Sequence, residues 1–284
     1  MSNNWVPYTP RAFEEKKRAL VAGGARALHV VADFDSTLTK AFVNAKKLPG
    51  AIQLVMEGNY LGPEYAREYK RLFDYYHPFE ENQSLSLAER SKKMNEWWSV
   101  HIQVLHKYGM NMGIWEDILE KELIPLREGV IDFFKILETH NIPVLVFSAA
   151  SGDMITRFLT LKKCLTSNVH VLANFYELDA QGRVLGYKNA SHIIHTLSKN
   201  EGHVKGTPYE KEVLNRPNVL LLGDSLEDID MVEGLPHKTV LKIGFLNERN
   251  NVNLLLYKER YDALISGDGP MDFVNRVLRE VLAP

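Results

Sequence analysis

The stretch LHVVADFDSTLTK, residues 28–40, is a run of apolar residues followed directly by two aspartates. The branched residues Val30 and Val31 favour a strand, and an unbroken apolar run is typical of a strand buried on both faces. Asp33 and Asp35 stand one residue apart at its end, where like charges repel unless a solvated turn follows or a cation is bound. The stretch therefore predicts a buried strand that carries carboxylates to one edge of a sheet.

Further apolar runs have the same strand character, and helical periodicity lies between them. These runs are residues 142–149, 169–175, 218–224 and 239–245. Helical spacing occupies 129–141 and 153–165 on either side of the second strand, and 271–283 near the end. This alternation predicts an α/β fold with a doubly wound parallel sheet. A hairpin is predicted at 173–188, where two short runs flank DAQG.

The pattern changes between residues 41 and 126, where we find no strand-like run. Helical spacing is clear in 63–76 and 87–108. A structureless loop of this length is not expected inside a compact domain. We therefore predict a helical domain, residues 41–126, inserted into a core formed by residues 1–40 and 127–284.

The composition argues against several classes of function. The 284 residues carry a formal net charge of -2, so there is no bulk attraction to nucleic acid or to an anionic membrane. The single cysteine, Cys164, excludes an internal disulfide and is expected to be a small buried side chain. No stretch approaches the roughly 20 apolar residues of a membrane span. We expect a monomeric, cytoplasmic protein that binds neither nucleic acid nor membrane.

Polar residues follow three of the predicted strands, at the edge where the carboxyl ends of parallel strands meet. They are Asp33 and Asp35 after the first strand, Ser148 to Gly152 after the second, and Asp224 with Asp228 after the fourth. Clustered carboxylates favour a divalent cation, and hard oxygen ligands without histidine or cysteine suit Mg²⁺, which in turn suits a phosphate ligand. Small residues near Ser148 let backbone N–H groups approach an anion, and Lys188 could supply further positive charge.

These residues resemble the motifs of the haloacid dehalogenase-like (HAD) hydrolase superfamily. DFDSTLT is similar to its first motif, FSA to its second, Lys188 to its third and GDSLEDIDM to its fourth. Nearly the whole chain also resembles the cytosolic 5′-nucleotidase III family of pyrimidine and 7-methylguanosine nucleotidases, through YYHPFE, EWW, VLGYKN and LKIGFLN. The resemblance implies a Rossmann-like core, a helical cap that selects the substrate, and Mg²⁺-dependent hydrolysis of CMP, UMP and/or 7-methyl-GMP.

The resemblance also implies a role for each motif residue. Asp33 would be the nucleophile that forms an aspartyl-phosphate, and Asp35 would act as general acid and then general base. The Asp33 carboxylate, the Asp35 backbone carbonyl and Asp224 would hold Mg²⁺, with Asp228 supporting through water. The groups that would hold the phosphoryl oxygens are Ser148, the backbone at Ala149, and Lys188.

By the same resemblance, the inserted segment would read the nucleobase. Glu80 would accept hydrogen bonds from an exocyclic amine, and its charge would favour a cationic base such as N7-methylguanine. Trp97 and Trp98 point about 100° apart on a helix, so one is expected in the core and Trp98 is favoured as the residue that stacks on the base. Either His101 or Ser99 stands at the place of a family serine, and His101 either donates to the base or ribose or fills space.

The sequence is also compatible with two other functions. A phosphatase of the same superfamily could act on another small phosphomonoester, such as phosphoserine or a sugar phosphate, beneath a similar helical cap. A phosphate-binding protein without activity would keep the same fold. A panel of phosphomonoesters assayed with Mg²⁺ separates these functions from a nucleotidase.

Overall fold

The computed structural model describes residues 5–7, 10–248 and 254–283. Its strands are β1 (Trp5–Pro7), β2 (Leu28–Ala32), β3 (Phe42–Val43), β4 (Lys46–Lys47), β5 (Val144–Ser151), β6 (Val169–Asn174), β7 (Tyr176–Leu178), β8 (Val184–Tyr187), β9 (Asn218–Gly223), β10 (Thr239–Leu246) and β11 (Ala263–Ser266). Its α-helices are α1 (Pro10–Ala27), α2 (Ala51–Glu57), α3 (Gly62–Glu81), α4 (Leu87–Lys107), α5 (Met112–Glu120), α6 (Val130–Thr139), α7 (Gly152–Leu161), α8 (Pro208–Val213), α9 (Leu254–Arg260) and α10 (Asp272–Val281). Short 3₁₀ turns cover Thr196–Ser198, Glu201–Val204 and Glu227–Val232.

Within the described residues, a seven-stranded sheet has the order β1-β11-β10-β9-β2-β5-β6. Neighbouring strands are parallel from β11 to β6, whereas β1 pairs antiparallel with β11 at the edge. The chain runs from β2 through β5 to β6 and then crosses to β9 on the other side of β2. The order of the strands therefore reverses at β2, which is where ligands bind in open α/β sheets.

Alternate residues of β2 face opposite layers of helices. Val30 and Ala32 lie in an apolar core that includes residues of α1, α6, α7 and α10. Val31 lies in a second core with Tyr209 and Val213 of α8. The side chains of β2 are fully shielded from solvent on both faces, which explains the unbroken apolar run in the sequence. The predicted doubly wound α/β fold is confirmed.

The inserted segment, residues 41–126, is mostly helical, as the sequence predicts, and contains α2 to α5. A capping box starts α4: the Ser86 hydroxyl accepts from the Glu89 amide, and the Glu89 carboxylate accepts from the Ser86 amide at 2.9 Å. The segment also contains the small hairpin β3–β4, which the sequence analysis did not predict. Its turn residues Asn44 and Ala45 both have positive φ, of 49° and 62°, as a tight hairpin turn requires.

The hairpin predicted at residues 173–188 is confirmed as the pair β7–β8. It also connects the core to the inserted segment through the backbone. The Val184 amide donates to the Met110 carbonyl at 2.8 Å, and the Met112 amide donates to the Gly182 carbonyl at 3.0 Å. Gly182 has a φ of 75°, a conformation that glycine adopts at little cost.

All five predicted core strands are present, whereas the short strands β1 and β11 were not predicted. Cys164 is a buried free cysteine, as expected. No helix in the described chain is long and apolar enough to cross a membrane. Residues 1–4, 8–9, 249–253 and 284 of the predicted core lie outside the described residues.

Candidate active site

The topology places the carboxyl ends of β2 and β9 side by side. Ala32 of β2 is in register with Leu222 of β9, and the Asp33 amide donates to the Leu222 carbonyl at 3.0 Å. Asp33 and Asp224, each the first residue after its strand, therefore emerge next to each other. On its other side, β2 pairs with β5, which leads to Ser148.

The carboxylates of Asp33, Asp224 and Asp228 converge on one point, and one oxygen from each lies within 4.8 Å of the others. Asp33 and Asp228 are buried, with exposed fractions of 4% and 1%. Burial together with the charges of Asp228 and Asp33 raises the pKa of Asp224 well above its usual value. Three carboxylates that repel one another, each offering a hard oxygen ligand, are a donor set suited to a divalent metal ion.

Asp228 also organises the loop that carries Asp224. Its Oδ2 accepts from the backbone amides of Asp224 and Ser225, each at 3.0 Å. A side chain at Gly223 would collide with this arrangement, because an added Cβ would lie 2.4 Å from the Cβ of Asp228. The Tyr257 hydroxyl donates to the Asp224 carbonyl at 2.8 Å and fixes the loop from the opposite side.

The cation beside these carboxylates is Lys199 rather than the predicted Lys188. Lys199 is 8% exposed, and its Nζ lies 2.5 Å from Oδ1 of Asp33 and 2.9 Å from Oδ1 of Asp228. Lys188 is exposed at the end of the hairpin, where its Nζ lies over the ring of Phe175. Lys188 was predicted from its resemblance to the third motif of the superfamily. Lys199 follows a 3₁₀ turn in a stretch without strand or helix periodicity, so no local pattern indicated it.

Asp35 lines the cavity described below and is half-buried. Burial raises its pKa to about 6, with Lys199 acting in the opposite direction. Burial likewise raises the pKa of Asp33 to about 7, again opposed by Lys199. The two aspartates of the opening motif therefore sit in different surroundings: Asp33 has an ammonium in contact, and Asp35 faces the cavity.

Arg127 holds the turn that follows these aspartates, and the sequence analysis did not identify it. Its side chain is fully buried; Nε donates to the Thr37 carbonyl at 2.6 Å, and the guanidinium also donates to the Ser36 carbonyl. Arg127 also reaches the loop that follows β11, where it pairs with Asp268 at 3.1 Å. Ser36 has a φ of 57°, so this turn is in a conformation that its neighbours must maintain.

Ser148 and Ala149 lie at the end of β5, as predicted. Ser148 is 1% exposed, and its Oγ accepts from the Ala150 amide at 3.0 Å. The sequence analysis missed Asn174, whose side-chain amide donates to the carbonyls of Ala149 at 2.8 Å and Ile194 at 2.7 Å. The Ile194 amide donates back to Asn174 Oδ1 at 2.9 Å. Asn174 thus joins the loop after β5 to the segment that leads to Lys199.

A cavity of about 270 Å³ lies between the inserted segment and the core. Its walls are mainly aromatic, and they are formed by residues of both parts: Tyr69, Phe73, Trp97, Trp98, Trp115, Tyr176 and Tyr187, with His101, Ala149 and Thr196. Asp35 lines the same cavity, so the space connects the acidic edge of the sheet with the aromatic walls. Its size and lining suit a flat ring attached to a phosphate.

The structure distinguishes the two tryptophans. Trp97 is 6% exposed and stacks on Tyr76 with ring centroids 5.9 Å apart, so much of it packs in the core of the inserted segment. Trp98 is less buried, and its indole Nε1 is shielded from solvent with no hydrogen-bond partner among the described residues. Both tryptophans line the cavity.

His101 and Glu80 occupy different places. His101 is a cavity residue whose Nε2 lies 3.3 Å from the Tyr65 hydroxyl, and burial lowers its pKa to about 4. It is therefore neutral at physiological pH. The Glu80 carboxylate is engaged by Thr196, whose hydroxyl donates to Oε1 at 2.6 Å. Thr196 lines the cavity, so Glu80 is connected to the cavity through this hydrogen bond.

Comparison with known proteins identifies the family. A family model described as pyrimidine 5′-nucleotidase (UMPH-1) matches residues 36–282. The chain belongs to this family. It is therefore a 5′-nucleotidase, a hydrolase of phosphoric monoesters, and the superfamily resemblance is confirmed.

Curated relatives extend over almost the full chain. The 7-methylguanosine phosphate-specific 5′-nucleotidases of Mus musculus and Homo sapiens are each 30% identical over 274 residues, covering 96% of this chain and 91% of theirs. A crystal structure of cytosolic 5′-nucleotidase IIIB bound to cytidine is similar with a TM-score of 0.86 and 26% identity, covering 99% of this chain and 94% of that one. A substrate-bound phosphoserine phosphatase shares the fold at a TM-score of 0.53, with 17% identity and coverage of 88% and 97%.

Proposed function

We propose that this 5′-nucleotidase requires Mg²⁺ and hydrolyses CMP, UMP and/or 7-methyl-GMP to the nucleoside and phosphate. The observation that carries the proposal is the junction of two features: a cluster of three carboxylates with a lysine, and an aromatic cavity that reaches Asp35. A phosphate at the carboxylates would place its nucleoside among the aromatic rings. The relatives named for 7-methylguanosine phosphate and the structure named for bound cytidine support both kinds of base.

Asp33, Asp224 and the backbone carbonyl of Asp35 would hold Mg²⁺, with Asp228 supporting. When bound, the ion would offset the repulsion between the carboxylates and the phosphate and keep Asp33 ionised. Asp228 Oδ2 already accepts from two backbone amides, and its Oδ1 accepts from Lys199. Both carboxylate oxygens therefore have partners, which suits a supporting role.

Hydrolysis would proceed in two displacements at phosphorus. The Asp33 carboxylate forms a bond to phosphorus while the bond from phosphorus to the ribose O5′ breaks, and protonated Asp35 gives its proton to the departing oxygen. A water molecule then attacks the aspartyl-phosphate, Asp35 takes one of its protons, and the bond to Asp33 breaks to release phosphate. A pKa of about 6 suits Asp35 to both directions of proton transfer near neutral pH.

Lys199, Ser148 and the backbone of Ala149 would hold the phosphoryl oxygens as charge moves between them. Lys199 takes the role that the sequence analysis gave to Lys188, because its ammonium already contacts Asp33 at 2.5 Å. Asn174 would keep the Ala149 loop and the lysine segment at a fixed separation, since it bonds to both.

The inserted segment would act as a cap over this site and select the base. Trp98 would stack on the ring, and Glu80 would accept from an exocyclic amine. His101, neutral and bonded to Tyr65, would act as a wall of the cavity whose hydrogen-bonding capacity depends on its tautomer. A cationic 7-methylguanine would gain a cation–π contribution of about 0.5–2 kcal/mol from such rings.

The test compares kcat/KM for CMP, UMP, 7-methyl-GMP, AMP and GMP on one preparation, with Mg²⁺ and after chelation. We expect activity on at least one of the first three substrates, dependence on Mg²⁺, and loss of turnover in Asp33→Asn with phosphate binding retained. A preference for AMP over those three would refute the proposed base recognition. Turnover above a few per cent of the wild-type rate in Asp33→Asn would refute the proposed nucleophile.

A phosphatase for phosphoserine or a sugar phosphate is the second candidate, and including both compounds in the panel tests it. The aromatic walls argue against it, since neither substrate has a flat aromatic ring to stack on them. The cytosolic relatives and the free buried cysteine support a cytoplasmic location. We propose a monomer, which sedimentation equilibrium would test.

A further inference from the structure

One hydrogen bond joins the inserted segment to the core at the cavity. The Thr196 hydroxyl donates to Oε1 of Glu80 at 2.6 Å, although the residues are 116 positions apart in the chain. Thr196 begins the 3₁₀ turn Thr196–Ser198 of the core, and Glu80 lies in the last turn of α3 in the inserted segment. Thr196 is also one of the residues that line the aromatic cavity.

Glu80 is held from several directions. The His77 Nδ1 lies 3.2 Å from its other carboxylate oxygen, Oε2. The guanidinium of Arg90, which is 7% exposed, donates from Nε to the Glu80 backbone carbonyl at 3.1 Å. Both the backbone and the carboxylate of Glu80 therefore have fixed partners, and Thr196 is the partner that comes from the core.

Thr196 is itself fixed relative to the catalytic carboxylates. Lys199, which contacts Asp33, follows it by three residues. Ile194, two residues before it, is bonded through both its amide and its carbonyl to Asn174 at the end of β6. A short segment anchored at both ends thus carries the Thr196 hydroxyl, and this hydroxyl links the Glu80 carboxylate to the segment that contacts Asp33.

We propose that Thr196 is a specificity-determining residue, whose hydroxyl orients the Glu80 carboxylate for contact with the nucleobase. The inference rests on the proposed function, in which Glu80 reads the base. An ionised carboxylate has about four acceptor sites, so one bond from Thr196 leaves others for an amino group of the base. A hydroxyl that donates to a carboxylate forms a short, charge-assisted bond, which fixes the acceptor's direction. Such a contact favours bases with an exocyclic amine, namely cytosine and 7-methylguanine, over uracil.

The test uses Thr196→Val, which keeps the shape and removes the donor, with Thr196→Ser as the matched control that restores a hydroxyl. CMP, UMP and 7-methyl-GMP are compared with p-nitrophenyl phosphate, a substrate that has no nucleobase. We expect Thr196→Val to raise KM for CMP and 7-methyl-GMP by about 10-fold or more, because the bond removed has a charged acceptor. We expect the loss of kcat/KM to be at least several-fold greater for these two than for UMP or p-nitrophenyl phosphate. Thr196→Ser should recover most of the loss.

A double-mutant cycle with Glu80→Gln separates orientation from general damage to the fold. If Thr196 acts through Glu80, the double variant loses little more than Glu80→Gln alone. Equal losses on all four substrates would overturn the proposal, because they would mean that Thr196 acts through Lys199 or through folding. Independent, additive losses or an unchanged KM in Thr196→Val would also overturn it. If the wild type hydrolyses p-nitrophenyl phosphate but no nucleotide, the proposed function itself fails, and this inference fails with it.

Discussion

Replacing Lys199 tests the assignment of the catalytic cation. Lys199→Met keeps the length and apolar stem of the side chain and removes the ammonium that contacts Asp33 at 2.5 Å and Asp228 at 2.9 Å. Lys188→Met is the matched control, since this exposed lysine lies 11 positions earlier, directly after β8. The sequence analysis and the tertiary structure predict opposite outcomes for these two variants.

The expected magnitude follows from burial. Lys199 is 8% exposed and its two partners are 4% and 1% exposed, so water screens the ion pairs poorly. Removing one partner of a buried ion pair costs about 3–5 kcal/mol, because the remaining charge is left without compensation. Removing a donor that stabilises developing charge in the transition state costs about 2.7–4 kcal/mol, a loss of 10²–10³ in kcat. We therefore expect kcat of Lys199→Met to be about 10²–10³-fold lower than that of the wild type. The kcat of Lys188→Met should change by less than about 2-fold, because the proposed donor is Lys199 and not this exposed lysine.

The assay is steady-state phosphate release from CMP and 7-methyl-GMP at saturating Mg²⁺, with thermal unfolding followed in parallel. Unfolding in the absence of Mg²⁺ should be affected most, since Asp33, Asp224 and Asp228 then have no metal ion to offset their repulsion. Adding Mg²⁺ should therefore raise the Tm of Lys199→Met more than that of the wild type. A variant Lys199→Met with near wild-type kcat, or a greater loss in Lys188→Met, would show that the contacts of Lys199 do not serve catalysis.

Three further predictions concern residues around the site. His101→Gln should flatten the pH dependence of stability: the wild type should lose up to about 3 kcal/mol between pH 6.5 and 4, because the unfolded chain protonates this histidine first and the folded pKa is about 4. Denaturant titrations of both proteins at pH 4.5 and 7 check this, and parallel stabilities would contradict it. Arg127→Met should lower the free energy of unfolding by about 3–5 kcal/mol, since Asp268 loses its buried partner, and it should also lower kcat because the Ser36 turn loses its support. Full kcat in a destabilised Arg127→Met would limit Arg127 to a structural role. Trp98→Leu should raise KM for 7-methyl-GMP. Trp97→Leu should chiefly lower the free energy of unfolding, by the roughly 3 kcal/mol typical of a large-to-small change in a core, and a lower Tm would show it. The reverse pattern would exchange the roles of the two tryptophans.

The sequence predicted the elements whose signal is local. The five core strands were readable from runs of branched apolar residues, and the hairpin β7–β8 from two short runs around DAQG. The strands β1 and β11 were missed because three or four residues are too few for a periodic pattern. Asp33 and Asp224 could be predicted to meet because each directly follows such a strand. In a parallel sheet the carboxyl ends of the strands lie at the same edge, so the two side chains come together there.

The side chains that the sequence could not place act across long separations. Arg127 reaches back 90 residues to Thr37, and Lys199 reaches 166 residues to Asp33. Nothing in the neighbouring sequence of either residue differs from that of an ordinary surface cation. Their partners depend on which loops the topology brings together, and that information is not periodic.

The sequence alone thus determined the fold class, the acidic strand ends, and through its motifs the family of the enzyme. The tertiary structure decided which lysine contacts the carboxylates, which of the two adjacent tryptophans is more deeply buried, and that Glu80 is held by Thr196. The physical reason is that secondary structure follows from side chains a few residues apart. A buried charge or hydrogen bond depends instead on groups that folding brings within about 3 Å from anywhere in the chain.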